Sequence, residues 1–190
     1  MADFTINVFD NVFDEQTCKE IWESVSQPRW SLTGGSREGG GRFWHMDGLE
    51  KEDFYSDFLF NILCNNFLKE KVSSYKINRI YANGQTANQN GTAHCDDSRP
   101  NTFTLLYYPN PEWHWLWNGA LFFLNAIGNN PNPQTDIIRT VSYQPNRAIY
   151  FSSNISHYAE APSHLFKDLR VSIAWKLSKY IKKHKLRFDS

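Results

Sequence analysis

Apolar residues recur at helical spacing in the first part of the chain and gather in short β-prone runs in the rest. Cys18, Ile21, Trp22 and Val25 fall on one helical face, and Asp14 ahead of them is a good N-cap. Phe54, Phe58, Leu59, Ile62, Leu63 and Phe67 repeat the pattern within 53–72. Residues 1–75 therefore read as mostly helical, with apolar faces that must be buried against something. From Tyr75 onward, short β-prone runs lie between turn signals: 76–81, 102–108, 119–124, 136–143, 147–152 and 170–177. Pro109-Asn110-Pro111 is a firm break, because proline cannot donate to a ladder and fixes its own φ. Asn129 to Pro133 is another. Two glycine-containing stretches read as loops, Gly34 to Gly41 and Asn83-Gly84-Gln85 through Asn90-Gly91.

Helices followed by strands predict an α+β domain in which N-terminal helices pack on a sandwich or barrel. At 190 residues the chain fits one domain: a helical region over 1–75, a β core over 76–177 and a basic tail over 178–190. Strand–helix alternation, a Gly-x-Gly-x-x-Gly run and a Walker loop are all absent, which disfavours a doubly wound nucleotide fold.

Composition narrows the function classes. Lys plus Arg equals Asp plus Glu, so the net charge gives no sign of a nucleic-acid partner. The local exception is the tail, with Lys182, Lys183, Lys185 and Arg187, which reads as solvated or as a dock for an acidic partner or RNA. Three cysteines without a Cys-x-x-Cys pair suit a reducing compartment. No signal peptide and no membrane span is visible, so a soluble, cytoplasmic protein is expected. The 16% aromatic content, with seven Trp, suits a wide core or a binding cleft.

The chemistry concentrates in three places. His94 and Asp96 sit two apart, which on a strand puts an imidazole and a carboxylate on one face. Alone this is weak evidence, since such a pair is more often a surface ion pair. His157 follows the apolar run 148–151 and a polar turn at Ser152-Ser153-Asn154. Together the three have the composition of a two-His, one-carboxylate triad, which suits Fe(II) and leaves coordination positions open. Asp97 and His164 are competing ligands, but strand parity favours Asp96, and the apolar strand before it favours His157. Arg170 opens a strand with Ser172 on the same face, and a guanidinium there can fork onto a carboxylate. A thiol nucleophile at Cys95 is disfavoured, because alternation points it away from His94.

His-x-Asp, an aromatic-rich strand, a Gly-containing strand, a second His, then Arg with Ser two later resembles the prolyl-4-hydroxylase branch of the 2-oxoglutarate/Fe(II) dioxygenases. Thr104 to Asn110 resembles the family strand that ends in Tyr-Leu-Asn. Trp117-Asn118-Gly119-Ala120-Leu121 resembles its Gly-Gly-x-Leu segment, with Asn118 where the family has glycine and Pro109 where it has leucine. The resemblance covers 76–177. It implies a double-stranded β-helix (jelly-roll, cupin-like) with the helices on one sheet, and Fe(II), 2-oxoglutarate and O2 as cofactors, with ascorbate as a candidate reductant. It makes His94, Asp96 and His157 the metal ligands and Arg170 the partner of the distal 2-oxoglutarate carboxylate, helped by Tyr108, Ser172 and Tyr81. It further implies C–H hydroxylation with release of succinate and CO2, of a prolyl residue in a peptide or protein. Apolar walls such as Ile173 and Trp175 are expected to keep water out. Arg42, Trp44 and Trp113 are the candidate substrate contacts. The alternatives are hydroxylation of a free amino acid, another small molecule or a nucleobase, and a non-catalytic cupin-like binding module.

Overall fold

The computed structural model describes residues 5–35, 41–127 and 136–180. The tail cations Lys182, Lys183, Lys185 and Arg187, the break at Pro131 and Pro133, and Gly39 and Gly40 of the first glycine-rich stretch lie outside the described residues.

Strands β1 (Ile6–Asp10), β2 (Ser31–Gly34), β3 (Phe43–Met46), β4 (Tyr75–Gln85), β5 (Thr102–Tyr108), β6 (Leu121–Ile127), β7 (Ile137–Val141), β8 (Arg147–Ser152), β9 (Ile155–Ala159) and β10 (Arg170–Lys179) form two sheets. The larger runs β1-β8-β5-β10-β4-β3-β2 and the smaller β7-β6-β9, with every pairing antiparallel. Helix α1 (Glu15–Val25) is capped by the Asp14 carboxylate, which accepts from the Thr17 N–H at 2.8 Å. A helical run over 54–68 is α-helical only at Phe60–Leu63 and π-helical on either side. It ends at Lys69, whose φ of 55° is left-handed. Among the described residues no helix is long and apolar enough to cross a membrane.

Strand alternation divides the large sheet into two working faces. On β10, Val171, Ile173, Trp175 and Leu177 join Ile21, Val25, Leu59, Phe60 and Leu63 in the main core under the helices. The intervening Arg170, Ser172, Ala174 and Lys176 line an inner cavity on the opposite face. β4 behaves alike, with Ile80 and Ala82 in the core and Tyr81, Asn83 and Gln85 towards the cavity. A register shift, in which Lys176 pairs with Arg79 and Leu177 with Ile77, sets Ile77 of β4 opposite Leu177 on the core side. Ile173 and Trp175 therefore do not wall the site, as the sequence led us to expect. Trp175 is fully buried and donates from Nε1 to the Tyr55 carbonyl at 3.0 Å.

The N-terminal region is less helical than its periodicity predicts, because β1, β2 and β3 fall within it. β2 and β3 have four residues each, too short for alternation to register. The stretch Asn83-Gly84-Gln85 is likewise strand, not loop: Gly84 pairs with Val171 on one side and Trp44 on the other. Its glycine serves packing. A Cβ there would come within 2.5 Å of Leu169 Cδ2. Gly84→Ala is expected to cost about 1–3 kcal/mol through overpacking, read as a lower urea midpoint.

Candidate metal and co-substrate site

The site forms where the segment around His94 docks on the small sheet. His94 and His157 exchange backbone hydrogen bonds (His94 N–H to His157 O, 3.0 Å; the reverse, 2.8 Å), and the Asp96 N–H donates to Ser153 O at 2.9 Å. His94-Cys95-Asp96 thus lies on no extended strand beyond this single bridge, although parity anticipated one. His157 lies within β9, a strand the sequence did not reveal because it follows β8 after only two residues.

His94, Asp96 and His157 offer ligand atoms that all lie within 4.8 Å of one another. His94 Nε2 is 3.4 Å from Asp96 Oδ1, and His157 Nε2 is 3.6 Å from Oδ2. Each ring's Nδ1 faces a carbonyl, Thr92 O at 2.8 Å and Ile155 O at 2.9 Å. Nδ1–H donation there leaves both Nε2 lone pairs turned inward, as metal ligation requires. Burial lowers the His157 pKa to about 4, and neighbouring His94 and Lys176 add to this against the pull of Asp96. His157 is therefore neutral at pH 7, the form that binds metal. The alternatives separate cleanly. Asp97 is tied to Arg99 at 2.6 Å, and Cys95 is nearly buried beside the groove. His164 is exposed and lines neither the groove nor the inner cavity.

The least expected neighbour is Lys176. Its ammonium contacts Asp96 Oδ2 and lies 3.2 Å from Thr104 Oγ1, and the Thr104 hydroxyl donates to the same Oδ2 at 2.5 Å. Burial on its own would raise the Asp96 carboxyl, but Lys176, backed by both histidines, holds it well below the usual carboxylate range. The signal was available. Counting by two from Arg170 passes Ser172 and Ala174 and reaches Lys176, a charge on the face that the triad occupies.

At the other end of the inner cavity lies Arg170, fully buried. It donates through Nε and Nη2 to Gly119 O (3.0 and 2.9 Å) and through Nη1 to Gln85 Oε1 (2.8 Å). Three of its five donors are thus used, and among the described residues no carboxylate neutralises it. Gly119 must be glycine here: its φ is +85°, and a Cβ would sit 2.9 Å from Arg170 Nε. Asn118 itself takes a positive φ of 57° with ψ −136°, outside the left-handed helical region that asparagine favours. Tyr108 lies beside the guanidinium, 5.3 Å from its ring centroid to Arg170 Cζ, and its buried hydroxyl has no hydrogen-bond partner among the described residues. Ser172 and Tyr81 also line the cavity. The cavity is narrow, about 60 Å3, and Tyr81, Asn83, His94, Asp96 and Lys176 are shared with an open outer groove of about 620 Å3.

Arg42, Trp44 and Trp113 do not line this groove. Phe43 and His45 do, so alternation on β3 turns Trp44 the other way. Trp113 instead packs on Tyr143 (centroids 4.0 Å apart), Phe166 and Trp117. The groove wall is polar. His45 Nδ1 meets Asn83 Oδ1 at 2.8 Å, and Arg79 reaches Asp47 at 2.9 Å and His45 Nε2 at 3.0 Å.

No protein-family model matches the chain, and no curated protein matches it in sequence. Solved structures do resemble it. The epimerase SnoN in complex with Fe3+, alpha ketoglutarate and nogalamycin RO superposes with a TM-score of 0.67 at 10% identity, over 92% of this chain and 78% of that one. A Pseudomonas putida prolyl-4-hydroxylase gives 0.63 at 9% identity, over 94% of both chains. A Trichoplax adhaerens prolyl hydroxylase, in complex with a hypoxia inducible factor oxygen degradation domain peptide fragment, gives 0.60 at 17% identity, over 92% and 83%. Two antiparallel sheets facing each other across the His94–Asp96–His157 cluster, with helices on the outer face of the larger, are a double-stranded β-helix, the fold of these similar structures.

Proposed function

We propose that this chain is an Fe(II)- and 2-oxoglutarate-dependent dioxygenase that hydroxylates a C–H bond. One observation carries this reading: a buried guanidinium, without a carboxylate partner among the described residues, lies across a small cavity from a two-His, one-carboxylate cluster. A buried cation is costly unless something neutralises it, and a dicarboxylate co-substrate supplies that charge. The residues fit the metal as well, with two Nε2 donors and one carboxylate converging and, among the described residues, no fourth protein ligand closing the set.

When bound, Fe(II) and 2-oxoglutarate activate O2 for C–H oxidation, with succinate and CO2 released. His94, Asp96 and His157 would hold the iron. Arg170 would fork onto the distal carboxylate of 2-oxoglutarate, and Tyr108 would donate its unpartnered hydroxyl there, with Ser172 lining the same end. Tyr81 stands between cavity and groove and would limit water entry from the substrate side.

For the substrate, an open groove of about 620 Å3 accommodates an extended peptide, and a prolyl residue is the finer reading. One structural neighbour holds a peptide fragment. The polar wall of Asp47, Arg79, Asn83, Asp97 and Arg99 favours a second reading, a polar small molecule. Anaerobic titration with Fe(II) and 2-oxoglutarate is expected to give a visible metal-to-ligand charge-transfer band that His94→Ala loses. A folded wild-type protein without the band ends the dioxygenase reading and leaves a cupin-like binding module. Succinate release over pools of proline-containing peptides, amino acids and oligonucleotides then separates the substrate classes.

A further inference from the structure

The proposed chemistry has no use for Lys176, yet its side chain is only 19% exposed and ends against the carboxylate of the triad. The fold puts it there firmly. Lys176 pairs with Thr104 on β5 and Arg79 on β4, on the same strand face as Arg170 and Ser172. Its ammonium and the Thr104 hydroxyl both sit on Asp96 Oδ2, while Oδ1 lies towards His94. The ammonium in contact with Oδ2 is a charge that balances Asp96 inside the protein. A divalent metal held by the same carboxylate would bring two more positive charges beside it, at short range and in a site of low dielectric.

We propose that Lys176 is a positioning residue that holds Asp96 in place in the metal-free protein and competes with the metal for it. The triad is thereby preassembled, and metal affinity is set lower than the three ligands alone would give. This rests on the metal-binding reading above. Partners of metal ligands ordinarily strengthen binding, and losing one usually weakens it about 10–100-fold. A cationic partner reverses that sign, which makes the idea sharply testable.

The test is Co(II) titration of the metal-free full-length protein, followed by its d–d absorption and by calorimetry. Lys176→Met keeps the length of the side chain and removes its charge; Lys176→Gln keeps a donor and removes the charge, and answers the question should the Met variant fail to fold. Both are expected to bind Co(II) at least about tenfold more tightly than wild type. Lys176→Arg, which keeps the charge, is expected to stay near wild type. The metal-free Met and Gln variants should also melt at lower temperature, because a buried carboxylate loses its counter-ion, and saturating Co(II) should restore them. Unchanged or weaker Co(II) binding in folded Met or Gln variants would overturn the proposal and leave Lys176 a packing residue. Wild-type protein that binds no Co(II), or binds it as well after His94→Ala, would overturn the metal site itself, and this proposal with it.

Discussion

Asp96→Ala is expected to abolish the Fe(II)–2-oxoglutarate band and to weaken Fe(II) binding by more than about 100-fold, beyond what losing an outer partner of a ligand costs. The reason is geometric. Asp96 is the one carboxylate between the two inward-facing imidazoles, 3.4 Å from His94 Nε2 and 3.6 Å from His157 Nε2. The same substitution leaves the Lys176 ammonium inside without its counter-ion. Breaking such a pair costs about 3–5 kcal/mol when it is buried, and the residual exposure of Lys176 puts the expected loss at the low end, about 3 kcal/mol. Urea unfolding of the metal-free proteins reads this directly, and the double variant Asp96→Ala/Lys176→Met is expected to recover most of it. Asp97→Ala is the control: Asp97 is engaged with Arg99 at the surface, so the band should survive. Fe(II) affinity that persisted in Asp96→Ala, or vanished in Asp97→Ala, would move the carboxylate ligand elsewhere.

Arg170→Met is expected to weaken 2-oxoglutarate binding about 100-fold while Fe(II) binding stays near wild type. Truncating one member of a buried charge pair costs about 2–5 kcal/mol, and each 1.4 kcal/mol is tenfold. Part of the effect reaches the fold. Gly119 O and Gln85 Oε1 lose their donors, which adds about 1–3 kcal/mol of destabilisation. Arg170→Lys is not expected to rescue 2-oxoglutarate binding, because an ammonium cannot serve Gly119, Gln85 and a forked carboxylate at once. The midpoint of the charge-transfer titration against 2-oxoglutarate checks the first effect, and urea unfolding the second. Undiminished 2-oxoglutarate affinity would reduce Arg170 to a structural cation that holds the turn at Gly119.

Much of the β core was legible from the chain alone. Residues 102–108 and 147–152 are β-prone runs between flanking turn signals, and they are β5 and β8 with the same limits. The N-terminal strands were not legible. β1 is a five-residue edge strand paired with β8, β2 and β3 have four residues each, and β3 pairs with the distant β4, so local pattern carries little of their signal. Gly84 shows the same difficulty in reverse. A glycine after an asparagine looks like a turn, yet here it is a strand residue whose missing side chain makes room for Leu169. Trp44 and Trp113 are of a residue type that suits substrate contact, but their direction is set by β3 parity and by the packing of Trp113 on Tyr143.

The sequence by itself determined which groups are available: two histidines, a carboxylate two residues from the first, and an arginine thirteen residues beyond the second. Their order along the chain carried a resemblance, because order survives without coordinates. Only the tertiary structure decided that His94 and His157, sixty-three positions apart, exchange backbone hydrogen bonds and turn their Nε2 atoms towards one carboxylate. It also decided that Arg170 is buried, with no carboxylate partner among the described residues, and that Lys176 sits on Asp96. Such facts depend on which strands become neighbours, and the long-range contacts that choose neighbours are set by burying both sheets' inner faces together, not by any short stretch of chain.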